Sequence, residues 1–221
     1  MKGKLIAIEG LDGSGKATQT SLLYQKLIDI GQKVKHISFP DYNSPSSTMA
    51  KLYLDGAFCD NPDDINAYAA STFFSIDRYI SFIKNWENFY KNNYIIISDR
   101  YTTSNIIYQM AKMPKYEWNK FIDWLQDYEY KKLGLPAPNK VIYLDVPIKV
   151  SQTLLNTRYN GNEEQKDLHE KNLNFLTKCR EVALFAAEKL DWNIIKCANE
   201  DKMKTVGEIN ELILSEILKF L

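Results

Sequence analysis

The sequence predicts an α/β fold, a five-stranded parallel sheet flanked by helices in three layers. Short β-rich apolar runs recur at 4–9 (KLIAIE), 33–39 (KVKHISF), 94–98 (YIIIS), 140–146 (KVIYLDV) and 192–197 (WNIIKC). Longer amphipathic segments separate them, which is the spacing of parallel strands joined by right-handed helical crossovers. Chemistry-bearing stretches follow the strands: GLDGSGK the first, FPDY the second, DRY the third. In such sheets ligands collect at the C-terminal edge, where these stretches fall.

The chain of 221 residues is expected to form one domain, 1–221. Lys plus Arg and Asp plus Glu balance at 28 each, so no net field points to nucleic acid or a membrane surface. Any bound anion is handled by placed residues. Cys59, Cys179 and Cys197 lie far apart with no C-x-x-C pair, against a disulfide framework or structural zinc; they are expected to be reduced and buried. The apolar run before Glu9 is short, and no later one approaches the roughly 20 residues that span a bilayer. A soluble cytoplasmic protein is the expectation.

The first strand runs into GLDGSGKATQT, 10–20. Gly10, Gly15 and Lys16 meet the G-x-x-x-x-G-K-[ST] pattern, but Ala17 stands where a hydroxyl would reach a metal. Glycines let the backbone wrap an anion so that its N–H groups and the following helix N-terminus face phosphate oxygens, and Lys16 adds a point charge. The fold expectation becomes a three-layer P-loop NTPase fold. Asp12 is unusual there, since a carboxylate beside phosphates is costly unless it serves a metal, a sugar hydroxyl or a neighbouring cation.

On a helix, Phe74 and Arg78 at i, i+4 share a face, so the ring can stack on a base while the guanidinium donates to a carbonyl edge. A core Phe beside a surface Arg paired with Asp77 or Glu87 is the competing reading. Asp99 ends a buried strand, where an unpaired carboxylate is expensive. Arg100 can fork onto a phosphate. Thr102, Thr103 or Ser104 can alternatively cap a helix. The polar break RYNGNEEQKD, 158–167, reads as a mobile loop between helices, a lid over about 158–168.

In order, the pieces EGLDGSGKATQ, FPDY, FFSIDR, SDRYTTSNIIYQ, LGLPAPNKVIYLDV and KDLHE resemble the thymidylate kinases, which move the γ-phosphoryl of ATP onto dTMP. The resemblance runs from Lys4 to about Asn199 and implies Mg²⁺ with ATP, and a homodimer packed on the aromatic segment 68–83. For ATP it implies contacts from Gly10, Leu11, Asp12, Gly13, Ser14, Gly15, Lys16, Ala17 and Thr18, with Arg158 and Lys166 from the lid. For dTMP it implies Asp12, Phe39, Tyr42, Phe74, Arg78, Arg100, Ser104, Asn105, Tyr108 and Glu170. Arg78 would read thymine O4, Asp99 would hold Mg²⁺ through water, and Asp12, Lys16, Arg100 and Arg158 would be the catalytic group.

Several departures from the family pattern are visible. Tyr42 stands where many relatives carry Arg, and supplies a hydroxyl without a charge. Gly13 replaces a loop arginine, leaving the lid cations to act at the transferring phosphoryl. Leu168 stands where an arginine often follows the Asp, and His169 where an aromatic often meets the sugar; His169 and Glu170 could equally be solvated helix residues. Another deoxynucleoside or nucleoside monophosphate kinase, or a non-catalytic nucleotide binder lacking its metal ligand at Ala17, are the rival functions.

Overall fold

A computed structural model describes residues 2–162, 166–200 and 202–221. Five strands form the expected parallel sheet: β1 (Lys4–Gly10), β2 (Val34–Ser38), β3 (Ile95–Asp99), β4 (Lys140–Asp145) and β5 (Asn193–Lys196), in the order β2-β3-β1-β4-β5. Strand side chains alternate between two buried faces. Leu5, Ala7, Ile96 and Tyr143 enter one core; Ile6, Ile8, Ile97 and Leu144 enter the other. Burial on both faces is why these strands read as nearly continuous apolar runs.

The helices are α1 (Lys16–Asp29), α2 (Thr48–Leu54), α3 (Ala67–Ser81), α4 (Glu87–Lys91), α5 (Thr102–Met110), α6 (Trp118–Gln126), α7 (Ile148–Arg158), α8 (Leu173–Lys189) and α9 (Val206–Phe220). One core face is covered by α5, α6 and α8, the other by α1 and α9. A π-helical stretch, Phe82–Trp86, links α3 to α4.

A short antiparallel hairpin, β6 (Ala198–Asn199) with β7 (Lys202–Met203), was not expected, because two-residue strands carry no periodic signal. All three cysteines are free, but Cys59 is only half-buried, so the expected burial holds for Cys179 and Cys197 alone. Among the described residues no helix is long and apolar enough to cross a membrane.

Register assembles the site. β1 lies between β3 and β4, and Ile8 faces Asp99 across the ladder. The Arg100 N–H continues that ladder to the Ile8 carbonyl at 3.1 Å, placing DRY beside the phosphate loop. On the other side of β3, Ser38 pairs with Asp99, and the Phe39 N–H donates to the Asp99 carbonyl at 3.0 Å, bringing in FPDY.

Candidate active site

These strand ends border a cavity of about 790 Å³, within the range of small-molecule sites. The phosphate loop forms its middle. Gly15 adopts a left-handed conformation (φ 81°) and starts α1 without a side-chain cap, leaving the first helical N–H groups for an anion. Lys16 Nζ donates to the Leu11 carbonyl at 2.8 Å, folded over its own loop. Burial and then the Arg100 charge lower its pKa to about 8. Ala17 and Thr18 line the cavity and are exposed. Gly10 and Leu11 are buried beneath the loop.

Gly13 shows why this loop carries no arginine. Its φ is +77°, and a Cβ there would come within 2.5 Å of the Ser151 carbonyl oxygen on α7. Any side chain would therefore push the loop off α7.

At one end of the cavity, Phe74 stands edge-on to Tyr53, ring centroids 6.0 Å apart, and Arg78 is 2% exposed. The surface pairing of Arg78 with Asp77 or Glu87 is not what forms. Its Nε and one terminal nitrogen donate to Glu129 at 2.8 and 2.6 Å. Asp77 instead accepts from the Asp41 N–H at 2.8 Å and the Ser46 hydroxyl at 2.6 Å, steadying the FPDY turn. The Asn105 amide nitrogen donates to Glu129 at 3.1 Å and the Ser71 carbonyl at 3.2 Å, which leaves its oxygen as the acceptor. One turn on, neither amide atom of buried Gln109 has a partner among the described residues.

Asp12 receives Arg100 in an ion pair and accepts from the Tyr108 hydroxyl at 2.9 Å; the same hydroxyl accepts from Arg100 at 3.1 Å. Of the roles open to Asp12, partnership with a cation is the one formed within the protein. Burial alone would raise the Asp12 carboxyl, but Arg100, Lys16 and Tyr108 outweigh it and hold it at about 2. Arg100 itself has φ 63°, a left-handed conformation unfavourable for a side chain with a Cβ.

Glu9, which opens the EGLDGSGKATQ piece but has no role assigned from sequence, is fully buried near the end of β1. It accepts from the Thr103 hydroxyl at 2.6 Å, the Ser104 hydroxyl at 2.7 Å and the Tyr101 N–H at 2.9 Å. Thr103 and Ser104 thus bind a carboxylate from β1, the Thr102 hydroxyl pairs with that of Tyr130, and no side chain caps α5. Desolvation pushes the Glu9 pKa up against those bonds.

Phe39 is buried against Tyr101, and Tyr42, which lines the cavity, is exposed. At the lid base, Arg158 ends α7, exposed and lining the cavity, its guanidinium 5.3 Å from the Tyr159 ring. Lys166 is buried and is not part of the cavity lining, while 163–165 of the expected lid lie outside the described residues. Leu168 packs with Tyr53 and Leu54, so a charge at that position would be buried among apolar groups.

His169 and Glu170 are not solvated helix residues: both are buried, in a turn before α8. Glu170 accepts from the Tyr159 hydroxyl at 2.9 Å and the Asp167 N–H at 3.1 Å. Burial, then Asp12 and Glu170, lift the Asp167 carboxyl to about 7. The cavity is also lined by Met203 of the unforeseen hairpin, Lys204, and Val206 and Ile209 at the start of α9.

Among the described residues no three ligand-type side chains form a metal cage. Mg²⁺ does not need one, because it keeps several waters and is held by one or two carboxylates with substrate phosphates. Asp99, on the cavity wall beside Lys16 and Arg100, fits that single-carboxylate role.

A phosphate loop opening into one cavity whose wall also carries an aromatic ring and a fixed guanidinium is the arrangement of a P-loop nucleotide phosphotransferase. Residues 8–209 match the model of the thymidylate kinase family. The chain belongs to that family, P-loop enzymes that phosphorylate dTMP to dTDP. It is 32% identical to the thymidylate kinase of Mycobacterium tuberculosis over 148 residues, covering 66% of this chain and 68% of the relative. It is 32% identical to that of Schizosaccharomyces pombe over 190 residues, 80% and 83% of the two chains. The solved thymidylate kinase from Candida albicans superposes with a TM-score of 0.71 at 26% identity, covering 99% of this chain and 92% of that one.

Proposed function

We propose that dTMP occupies the Phe74–Arg78–Asn105 end of the cavity and MgATP the phosphate-loop end, with in-line transfer between them. The supporting observation is that Arg100, between the two ends, is ion-paired to the loop residue Asp12. A dTMP phosphate oxygen attacks the γ-phosphorus, the new O–P bond forming as the bond to the β-phosphate oxygen breaks and ADP leaves. That oxygen is already anionic, so positioning and charge neutralisation suffice and no general base is needed.

Phe74 stacks on thymine and Arg78 donates to its O4, while the Asn105 oxygen accepts from the base. Arg100 and Tyr42 hold the acceptor phosphate, and Asp12 the sugar hydroxyl or a nearby metal. Lys16 and the loop N–H groups hold the donor phosphates, and Thr18 meets the α-phosphate. Arg158 closes onto the transferring group as the lid over 158–168 excludes water. Asp99 would hold Mg²⁺ through water, and the ion would offset the charge of the donor phosphates. The donor base lies against Met203, Val206 and Ile209.

A homodimer packed on the aromatic segment 68–83 is part of this reading, since Ile76 on α3 and Ile83 in the π-helical stretch are each 45% exposed. Gel filtration giving only a monomer overturns it. The activity is tested by coupled ADP release with dTMP and Mg²⁺, against dUMP, dCMP and thymidine. Turnover is expected to be best with dTMP. Better turnover of any other acceptor refutes the base assignment, and tight binding of both nucleotides without turnover points to the non-catalytic alternative.

A further inference from the structure

His169 is held by more than a substrate contact requires. The Leu168 N–H donates to the Leu54 carbonyl at 2.9 Å, tying the turn to the end of α2. The imidazole is 4% exposed. It meets Tyr53 edge-on (centroids 5.5 Å, 71° between planes), lies nearly parallel to Tyr108 (5.2 Å, 13°) and tilts against Phe175 (5.1 Å, 42°). His169 Nε2 is 3.2 Å from the Tyr53 hydroxyl, and that hydroxyl is 2.7 Å from Lys112 Nζ. Lys112 also donates to the Ile65 carbonyl at 3.2 Å and sits 4.9 Å from the centre of the Tyr53 ring.

The donor inventory orients these bonds. An ammonium only donates, whereas a tyrosine hydroxyl accepts and has one proton to give. Tyr53 therefore accepts from Lys112, and its proton is directed to Nε2 of His169. Burial keeps the imidazole neutral, as do the Lys112 and Arg100 charges, holding its pKa at about 3. A neutral ring accepting at Nε2 carries its proton on Nδ1.

We propose that Lys112, Tyr53 and His169 form a one-way polar relay that locks His169 as the neutral Nδ1–H tautomer and seats its ring on Tyr108, orienting the hydroxyl that joins Asp12 to Arg100. Lys112, Tyr53 and His169 are then positioning residues for the acceptor phosphate site. The relay joins α2, the turn after α5 and the turn before α8, and so fixes that last turn on the cavity wall. The functional part rests on the reading of Arg100 as the acceptor-phosphate ligand; the tautomer does not.

The chain has only two histidines, His36 and His169, so long-range ¹H–¹⁵N spectra give two ring systems, assigned with His36→Gln. In the wild type at neutral pH, His169 is expected to show a protonated Nδ1 and an unprotonated Nε2. Lys112→Met and Tyr53→Phe are expected to mix the tautomers and to raise KM for dTMP about tenfold, the size of one lost hydrogen bond, with KM for ATP little changed. A wild-type His169 protonated on Nε2, or spectra unchanged in both variants, overturns the relay. Mixed tautomers with an unchanged KM for dTMP overturn its positioning role. The expected wild-type tautomer in a protein that does not turn over dTMP instead refutes the functional reading and leaves the relay standing.

Discussion

Glu129 binds Arg78 through both carboxylate oxygens, at 2.6 and 2.8 Å, with both side chains essentially out of solvent. The pair decides where the guanidinium can point, because Asn105 shares the same carboxylate. Removing Glu129 leaves a buried charge unpaired. Glu129→Ala is expected to cost about 3–5 kcal/mol in urea unfolding, the usual loss when one partner of a buried ion pair is deleted. Glu129→Gln keeps an acceptor and the volume, and is expected to fold while binding dTMP more weakly. A fully stable Glu129→Ala would show that Arg78 is held by other groups.

Arg100→Lys retains the charge but loses the fork that serves Asp12 and Tyr108 together. Steady-state kinetics are expected to show kcat/KM for dTMP falling roughly a hundredfold, the scale of losing a charge-assisted fork, with KM for ATP changed far less. Equal losses for both substrates would place Arg100 outside the acceptor site.

With Lys16 in its proposed place on the donor phosphates, its lowered pKa, about 8, is expected to set the alkaline side of donor binding. The free enzyme's Lys16 is a cation below that pH and loses its charge above it. kcat/KM for ATP is therefore expected to fall as pH rises through 8, and kcat/KM reports the free enzyme. A flat profile to pH 9.5 would count against the assignment.

Asp167 works in the opposite sense to Asp12. Its folded pKa is raised to about 7 from an ordinary 3.8, so the fold resists its charged form, and that penalty grows as pH rises from 4 to 7. Asp12, held near 2, adds stability above pH 4 that is lost as pH falls. Asp167→Asn keeps an oxygen for the His169 and Glu170 N–H groups. It is expected to raise Tm at pH 8 by a few degrees, about 1 kcal/mol, and to give no gain by pH 4. A loss of Tm at pH 8 would mean that the charge is already compensated.

The phosphate loop supplies two contrasting substitutions. Gly13→Ala must shift either the loop or α7, and is expected to destabilise by about 2 kcal/mol or more and to weaken ATP binding. Ala17→Ser meets open space on the cavity wall and adds a hydroxyl ligand; it is expected to lower the Mg²⁺ concentration needed for half-maximal rate without creating the activity. A wild type inert until Ala17→Ser is made would show the missing hydroxyl to be disabling.

Short, nearly continuous apolar runs and the order of the motifs were enough to read the five-stranded sheet, the start of α1 at Lys16 and the meeting of GLDGSGK with DRY at one sheet edge. These features are local: each strand carries its burial in its own side chains, and a glycine loop before a helix needs no distant partner to be recognised. The partners of the charged groups were not legible in the same way. Glu129 lies 51 positions from Arg78, in a stretch with no motif, and Glu9 reaches Ser104 across 95. Lys112, Tyr53 and His169 come from three separate parts of the chain, two of them turns. A buried charge requires a partner, but its sequence does not say which, because the choice depends on the few ångströms by which packed helices and the sheet bring distant side chains within bonding range.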